Sequence, residues 1–146
     1  TKDTKDAKVN RLWEGAMAKH EPVPAEAEYW GKALLDAAFE VHTILGAGFL
    51  ERVYEEALCH ELTLRRVPFE RQKEIVVPYK DHLIEGQRLD LVVGGLVIAE
   101  IKAVDEIHPV HQAQLMSYLK ATGLRLGFLI NFNVPHLREG IRRIVL

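Results

Sequence analysis

The stretch from Asp90 to Lys102, DLVVGGLVIAEIK, constrains this chain more tightly than any other. Two apolar runs meet at Gly94-Gly95, the pattern of two strands joined by a glycine turn. Leu91, Val92, Val93 and Leu96, Val97, Ile98, Ala99 are apolar at both parities, so this hairpin is expected at the centre of a sheet, covered on both faces. Yet an Asp opens the stretch, and a Glu and a Lys close it two residues apart. Ionised groups in such a setting cost several kcal/mol each unless they are paired or coordinated.

Side chains alternate across a strand, so Glu100 and Lys102 share a face. The place of Asp90 depends on the turn. A two-residue turn at Gly94-Gly95 pairs Asp90 with Ala99 and sends it to the face opposite Glu100. A three-residue turn from Val93 to Gly95, with a left-handed glycine, pairs Asp90 with Ile98 and unites Asp90, Glu100 and Lys102. Convergence of the acids therefore requires an odd-length turn or a bulge. Two neighbouring carboxylates resist joint ionisation, and a divalent cation relieves them. Oxygen donors without a cysteine set or a histidine pair point to Mg²⁺ or Mn²⁺ rather than zinc. Such an ion polarises a phosphoryl oxygen and acidifies a water, while Lys102 can orient that water or offset developing charge. The chemistry that fits is phosphodiester hydrolysis. On exposed strands Glu-x-Lys is commonly a plain salt-bridge pair; the apolar setting separates this example from those.

The remaining chain supplies a covered sheet. Trp30, Leu34, Ala38, Val41 and Leu45 recur at helical spacing from Ala25 to Leu45, and Gly46–Gly48 ends that helix. A second helix is expected from about Leu50 to Arg65, burying Leu50, Val53, Ala57, Leu58 and Leu62. Phe69 to Lys80 reads as a strand and Asp81 to Gly86 as a loop or hairpin turn. Pro109 opens a helix closed by Gly123, and Leu126–Phe132 and Ile141–Leu146 are the last strands. The order helix, helix, three strands, helix, strand, strand is most economically an α/β fold with a central mixed sheet flanked by helices. Residues 1–24 are polar and read as an N-terminal arm with one short helix near Leu12-Trp13, leaving 25–146 as the folded domain.

Composition bounds the partners. The 146 residues carry a formal net charge of -2, which argues against a broad non-specific grip on nucleic acid. Arg65, Arg66, Arg71, Lys73 and, near the end, Arg138, Arg142, Arg143 form local basic clusters that become phosphate contacts only beside a site. A single cysteine, Cys59, excludes an internal disulfide and reads as a core residue. His42 and His60 sit at no ligand spacing and read as packing or capping groups. No apolar run approaches the roughly 20 residues of a membrane helix. The N-terminus has no secretory apolar region and begins without Met, as a trimmed or partial chain would; a cytoplasmic setting is expected. A homodimer through an exposed edge strand or the Trp30 helix is compatible with the pattern.

Two more constellations bear on chemistry. His111, Gln114 and Tyr118 recur at i, i+3, i+7, a polar stripe in which a Gln and a Tyr one turn apart can steady phosphates and a bound water. In GFLERVY, Glu51 occupies a first helical turn with Tyr54 one turn on; a first-turn acid is favoured by the helix dipole, and this one could also reach a metal.

Taken together, these residues resemble the PD-(D/E)XK nuclease superfamily. Asp90 followed by Glu100-Ile101-Lys102 is similar to its signature, and Gln114-x-x-x-Tyr118 to the Gln-x-x-x-Tyr helix motif of its RecB-type branch. Gly48-Phe-Leu-Glu51-Arg-Val-Tyr54 resembles the motif of the small GxxExxY proteins. The similarity runs from about Tyr29 to Leu146. Leu89 stands where the superfamily's name-giving, variable proline would be. The resemblance implies a restriction-endonuclease-like core with helices on both faces of the sheet. It also implies a Mg²⁺ (or Mn²⁺) site of Asp90, Glu100 and the Ile101 carbonyl, with Glu51 as the helix acid. Lys102 would be the catalytic lysine, with Gln114 and Tyr118 in support. The implied partner is nucleic acid, DNA ahead of RNA. The implied activity is nucleolytic; the alternative is a non-catalytic nucleic-acid- or protein-binding module that retains the fold.

Overall fold

A computed structural model of the chain describes residues 21–146. The short helix expected near Leu12-Trp13, with most of the polar arm, falls outside the described residues. Helix α1 (Ala25–Leu45) buries Leu34, Ala38 and Val41, with Trp30 and Leu45 packed at the rim. Helix α2 (Glu51–Leu64) buries Tyr54, Leu58, Cys59 and Leu62. Leu50 departs from the expected pattern. It lies just before the helix and is 74% exposed, because the helix begins at Glu51 and Tyr54 fills the first inward position.

Strands β1 (Phe69–Tyr79) and β2 (His82–Val93) form a long antiparallel hairpin. The segment expected as a loop, Asp81 to Gly86, is strand from His82 onward. Its residues are exposed, so it has the composition of a loop because no helix covers it, not because it lacks ladder bonds. Strand β3 (Val97–Lys102), helix α3 (Pro109–Thr122), strand β4 (Leu126–Asn131), a 3-10 turn (Leu137–Gly140) and strand β5 (Ile141–Val145) complete the order. One five-stranded sheet runs β1-β2-β3-β4-β5. β3 and β4 are parallel, connected through α3, and every other neighbouring pair is antiparallel. A parallel pair needs such a crossover, which a two-residue turn cannot supply.

Both faces of the central strands are covered, as their double-parity apolarity requires. On one face α1 and α2 pack on Leu91, Val93, Val97, Ala99, Ile101, Phe128 and Ile130. On the other, Leu115, Tyr118 and Leu119 of α3 pack on Leu89, Val92, Ile98 and Leu129. Each fully buried Leu or Ile contributes about 1.5–3 kcal/mol by leaving water.

The β2–β3 turn has odd length. The register Leu91↔Ala99, Val92↔Ile98, Val93↔Val97 leaves Gly94, Gly95 and Leu96 in the loop, one residue later than expected. Val93 is fully buried and stays in the ladder, while Gly94 and Gly95 take the left-handed positions with φ of 61° and 72°. The Trp30 ring lies against Gly94, where an added Cβ would stand 2.3 Å from the indole. The glycine therefore permits both the turn and the seating of α1 on it. This register brings Asp90 level with Glu100 rather than with Ile98.

Candidate active site

At the end of β2 and β3 away from the turn, the backbone and the acids interlock. The Asp90 N–H donates to Glu100 Oε1 (3.2 Å), and the Ile101 N–H donates to Asp90 Oδ2 (2.8 Å). Glu100 is only 5% exposed. Burial first, and the Asp90 charge second, push its carboxyl up to about 8, with Lys102 pulling the other way. Near neutral pH Glu100 therefore holds a proton that a cation could displace.

Strand alternation breaks at Asp90. Leu89 packs into the α3-side core and Leu91 into the α2-side core, although they are two residues apart. Opposite, Arg71 pairs with Leu91 and Lys73 with Leu89, while Gln72 between them has a left-handed φ of 52°. The irregularity turns Asp90 toward α2, where it opens into a cavity of about 120 Å³ with Glu51, Arg52, Glu55, Gln72 and Ile101. Lys102 instead lines a cleft of about 540 Å³ against α3, with Val110, His111, Ala113, Gln114 and Ser117. The structure thus brings Asp90 beside Glu100, but Asp90 and Lys102 open onto different cavities instead of sharing one face. The local kink at Asp90 overrides simple alternation.

Glu51 reaches the rim of the acidic cavity from the first turn of α2. Desolvation, followed by the Asp90 charge, raises its carboxyl, and Lys102 opposes this, so these groups lie within one another's fields. The loop that launches α2 is fastened by Tyr54, which is fully buried. Its hydroxyl donates to the Gly46 carbonyl (2.6 Å) and accepts from the Phe49 N–H (3.2 Å), and its ring stacks on Phe132 at 4.7 Å. Within GFLERVY, the Glu borders the site and the Tyr holds the backbone that carries it.

The stripe on α3 is divided. Tyr118 is buried, and its hydroxyl accepts from Gln87 Nε2 (3.0 Å). Burial, then the charges of Glu100 and Asp90, raise the phenol, against hydrogen bonds from Gln114 and Gln87. Gln114 itself is exposed in the cleft with Lys102. His111 Nδ1 accepts from the His108 N–H (3.1 Å), which leaves Nε2 to carry the proton of the neutral ring. Burial and the positive charges of Lys102 and His108 lower this imidazole.

Three side chains at the site carry no sequence signal. Gln72 Nε2 donates to Glu55 Oε1 (2.5 Å) and to Asp90 Oδ1 (3.5 Å). Gln87 holds Tyr118 as described. All three are polar residues on surface positions, and only the β1–β2 register reveals that Gln72 faces Asp90. The basic clusters are mostly consumed locally: Arg65 pairs with Glu61, Arg71 with Glu55 and Lys73 with Glu70. Cys59 is a core thiol that burial pushes up to about 11. His42 packs near Phe132 and hydrogen-bonds the Val134 carbonyl.

Among the described residues, no three His, Cys, Asp or Glu side chains converge into a ready-made cation site. What the fold presents is a pair of acids, Asp90 and Glu100, interlocked through backbone N–H groups, with burial first and the Asp90 charge second raising the Glu100 carboxyl. Hard oxygen donors of this kind suit Mg²⁺ or Mn²⁺.

A five-stranded mixed sheet between helices, with an Asp on one central strand and Glu-x-Lys on the next, defines a restriction-endonuclease-like fold. Comparison with family models matches residues 28–144 to the PD-(D/E)XK nuclease superfamily, and the chain belongs to it. Comparison with curated proteins found no match, and neither did comparison with solved structures. Membership carries nuclease-like activity toward nucleic acid as its functional class. No helix among the described residues is long and apolar enough to cross a membrane.

Proposed function

We propose that the protein is a Mg²⁺- or Mn²⁺-dependent phosphodiesterase of the GxxExxY group that hydrolyses nucleic acid, with DNA as the expected substrate. The observation that carries this reading is the hydrogen bond from the Asp90 N–H to the carboxyl of a buried Glu100, with the Asp90 carboxylate held by the Ile101 N–H and Lys102 two residues further along the same strand. Asp90, Glu100 and the Ile101 carbonyl would hold the ion, with Glu51 swinging in from the cavity rim. A bound divalent ion supplies charge neutralisation and Lewis acidity at the scissile phosphate.

The chain's own groups account for the rest. Lys102 brings positive charge to the boundary between the acidic cavity and the α3 cleft, where it can offset charge developing on a phosphate. Gln114 can donate to a phosphate oxygen from the wall of that cleft. Tyr118, held by Gln87, keeps its hydroxyl near the acids and excludes water from their α3 side. The cleft volume is within the range of small-ligand sites and suits a nucleotide unit.

The opening of Asp90 and Lys102 onto different cavities favours a second reading, a binding module that keeps the fold without the chemistry. One experiment separates the two. Purified protein is incubated with Mg²⁺ or Mn²⁺ and a panel of single-stranded, duplex and branched DNA and RNA, beside calorimetric titration with each metal. Metal binding with cleavage that disappears in Asp90→Ala and Glu100→Ala supports the phosphodiesterase. Variants that cleave as well as the parent sink the site assignment, and a parent that neither binds metal nor cleaves leaves the binding module.

A further inference from the structure

Among the described residues, three non-glycine residues have left-handed backbone, Arg66, Gln72 and Lys80. Arg66 and Lys80 sit in turns, where such a conformation reverses the chain. Gln72 alone lies inside a strand. Its conformation does not set the register either, since Arg71↔Leu91 and Lys73↔Leu89 keep one register on both sides of it. Gln gains none of the local relief that Gly, Asn or Asp find in this region, so the strain is not explained by the ladder.

The side chain explains it. From this backbone the Gln72 carboxamide enters the acidic cavity and donates to Glu55 on α2 and to Asp90 on β2. A primary amide has two N–H donors, and here both are directed at carboxylates. Asp90 is thereby held from two sides, by the Ile101 N–H on Oδ2 and by Gln72 on Oδ1. Glu55 is in turn anchored by Arg71 at 2.9 Å. We propose that Gln72 is a positioning residue of the acidic site, held in a strained conformation so that its amide bridges Asp90 to Glu55 and sets the orientation of the Asp90 carboxylate. What that orientation serves rests on the phosphodiesterase reading; the bridge itself does not.

The test compares the parent with Gln72→Gly, which releases the strain and removes the amide, and with Gln72→Asn, which tolerates the backbone but is one methylene too short to bridge. In metal-free buffer Gln72→Gly should melt about 2–4 °C higher, the shift expected for relieving one strained residue in a domain of this size. In both variants the Ile101 amide resonance should move and its hydrogen exchange should quicken several-fold, because its acceptor is no longer fixed. Mn²⁺ affinity should fall roughly tenfold or more, as when a group supporting a ligand is lost. An unmoved Ile101 amide overturns the positioning role, and a lowered melting temperature for Gln72→Gly overturns the strain. If the parent binds no Mn²⁺ at all, the phosphodiesterase reading fails while the Ile101 amide still decides the role of Gln72.

Discussion

At the two ends of the β2–β3 pair, left-handed backbone is borne by different residues. At the turn end, Gly94 and Gly95 adopt it without a Cβ to clash, and Trp30 packs directly over the first. At the acid end, Gln72 adopts it with a full side chain, opposite Asp90 and with β2 between it and a buried Glu100. Conformation and packing agree at the turn, so that end adds stability. At the acid end backbone strain, a buried carboxyl and like charges accumulate within a few residues, and all of them cost stability. Such local conflict is expected where a fold retains a site. The contrast predicts that substitutions at the turn lower stability and spare chemistry, while substitutions at the acid end do the reverse.

The largest effect should fall on the acids. Glu100→Gln and Asp90→Asn keep shape and remove charge, and metal-dependent cleavage should drop about 1000-fold, roughly 4 kcal/mol at the transition state. Melting temperature should stay level or rise. Kinetics and calorimetry on the same preparations check both halves. A variant that loses cleavage only because it unfolds erases the distinction between the two ends.

Next in size is Gly94→Ala. A Cβ there meets the indole of Trp30 and is bound to a backbone with φ of 61°, so overpacking and strain act together. The expected cost is about 3 kcal/mol in denaturant unfolding. Cleavage per folded molecule should be unchanged, because the acids lie at the other end of the strands.

A third prediction concerns pH. The Glu100 carboxyl is pushed above its ordinary value to about 8 in the folded protein, so the folded state binds its proton more tightly than the unfolded state does. The stability this protonation confers is complete below the ordinary carboxyl pKa and is lost as pH rises through about 8. In metal-free buffer the parent should lose about 2 kcal/mol or more between pH 5 and 8. Glu100→Gln should flatten that slope, and Mn²⁺ should restore the parent at pH 8. A parent whose stability is constant across this window would mean that the Glu100 environment is not costly.

How much of this could be read beforehand follows the same division. The central hairpin was legible because apolarity at both parities is a direct consequence of cover on both faces; the Gly pair marked the turn, and only convergence of the acids called for an odd length. The register was one residue off, because Val93 could equally have served in the loop until its burial placed it in the ladder. Strand β2 was legible only from its covered half; the exposed half beginning at His82 has the composition of a loop. Asp90, Glu100 and Lys102 stood out as charges in an apolar run. Gln72 and Glu55 did not, since polar residues on a strand and a helix are ordinary, and nothing in a glutamine announces a left-handed backbone. The irregularity that parts Asp90 from Lys102 was hidden for the same reason.

The smallest effect belongs to Gly95→Ala, and it sharpens the comparison within the turn itself. Gly95 has φ of 72°, close to that of Gly94, but no atom stands within 4 Å of where its Cβ would lie. Only the backbone term remains, about 1 kcal/mol. Subtracting it from the Gly94→Ala result isolates the contact with Trp30. Trp30→Ala in the Gly94→Ala background should then recover part of the Gly94 penalty and none of the Gly95 penalty. Equal costs at both glycines would mean that α1 is not seated on the turn, and that backbone conformation alone governs this end of the hairpin.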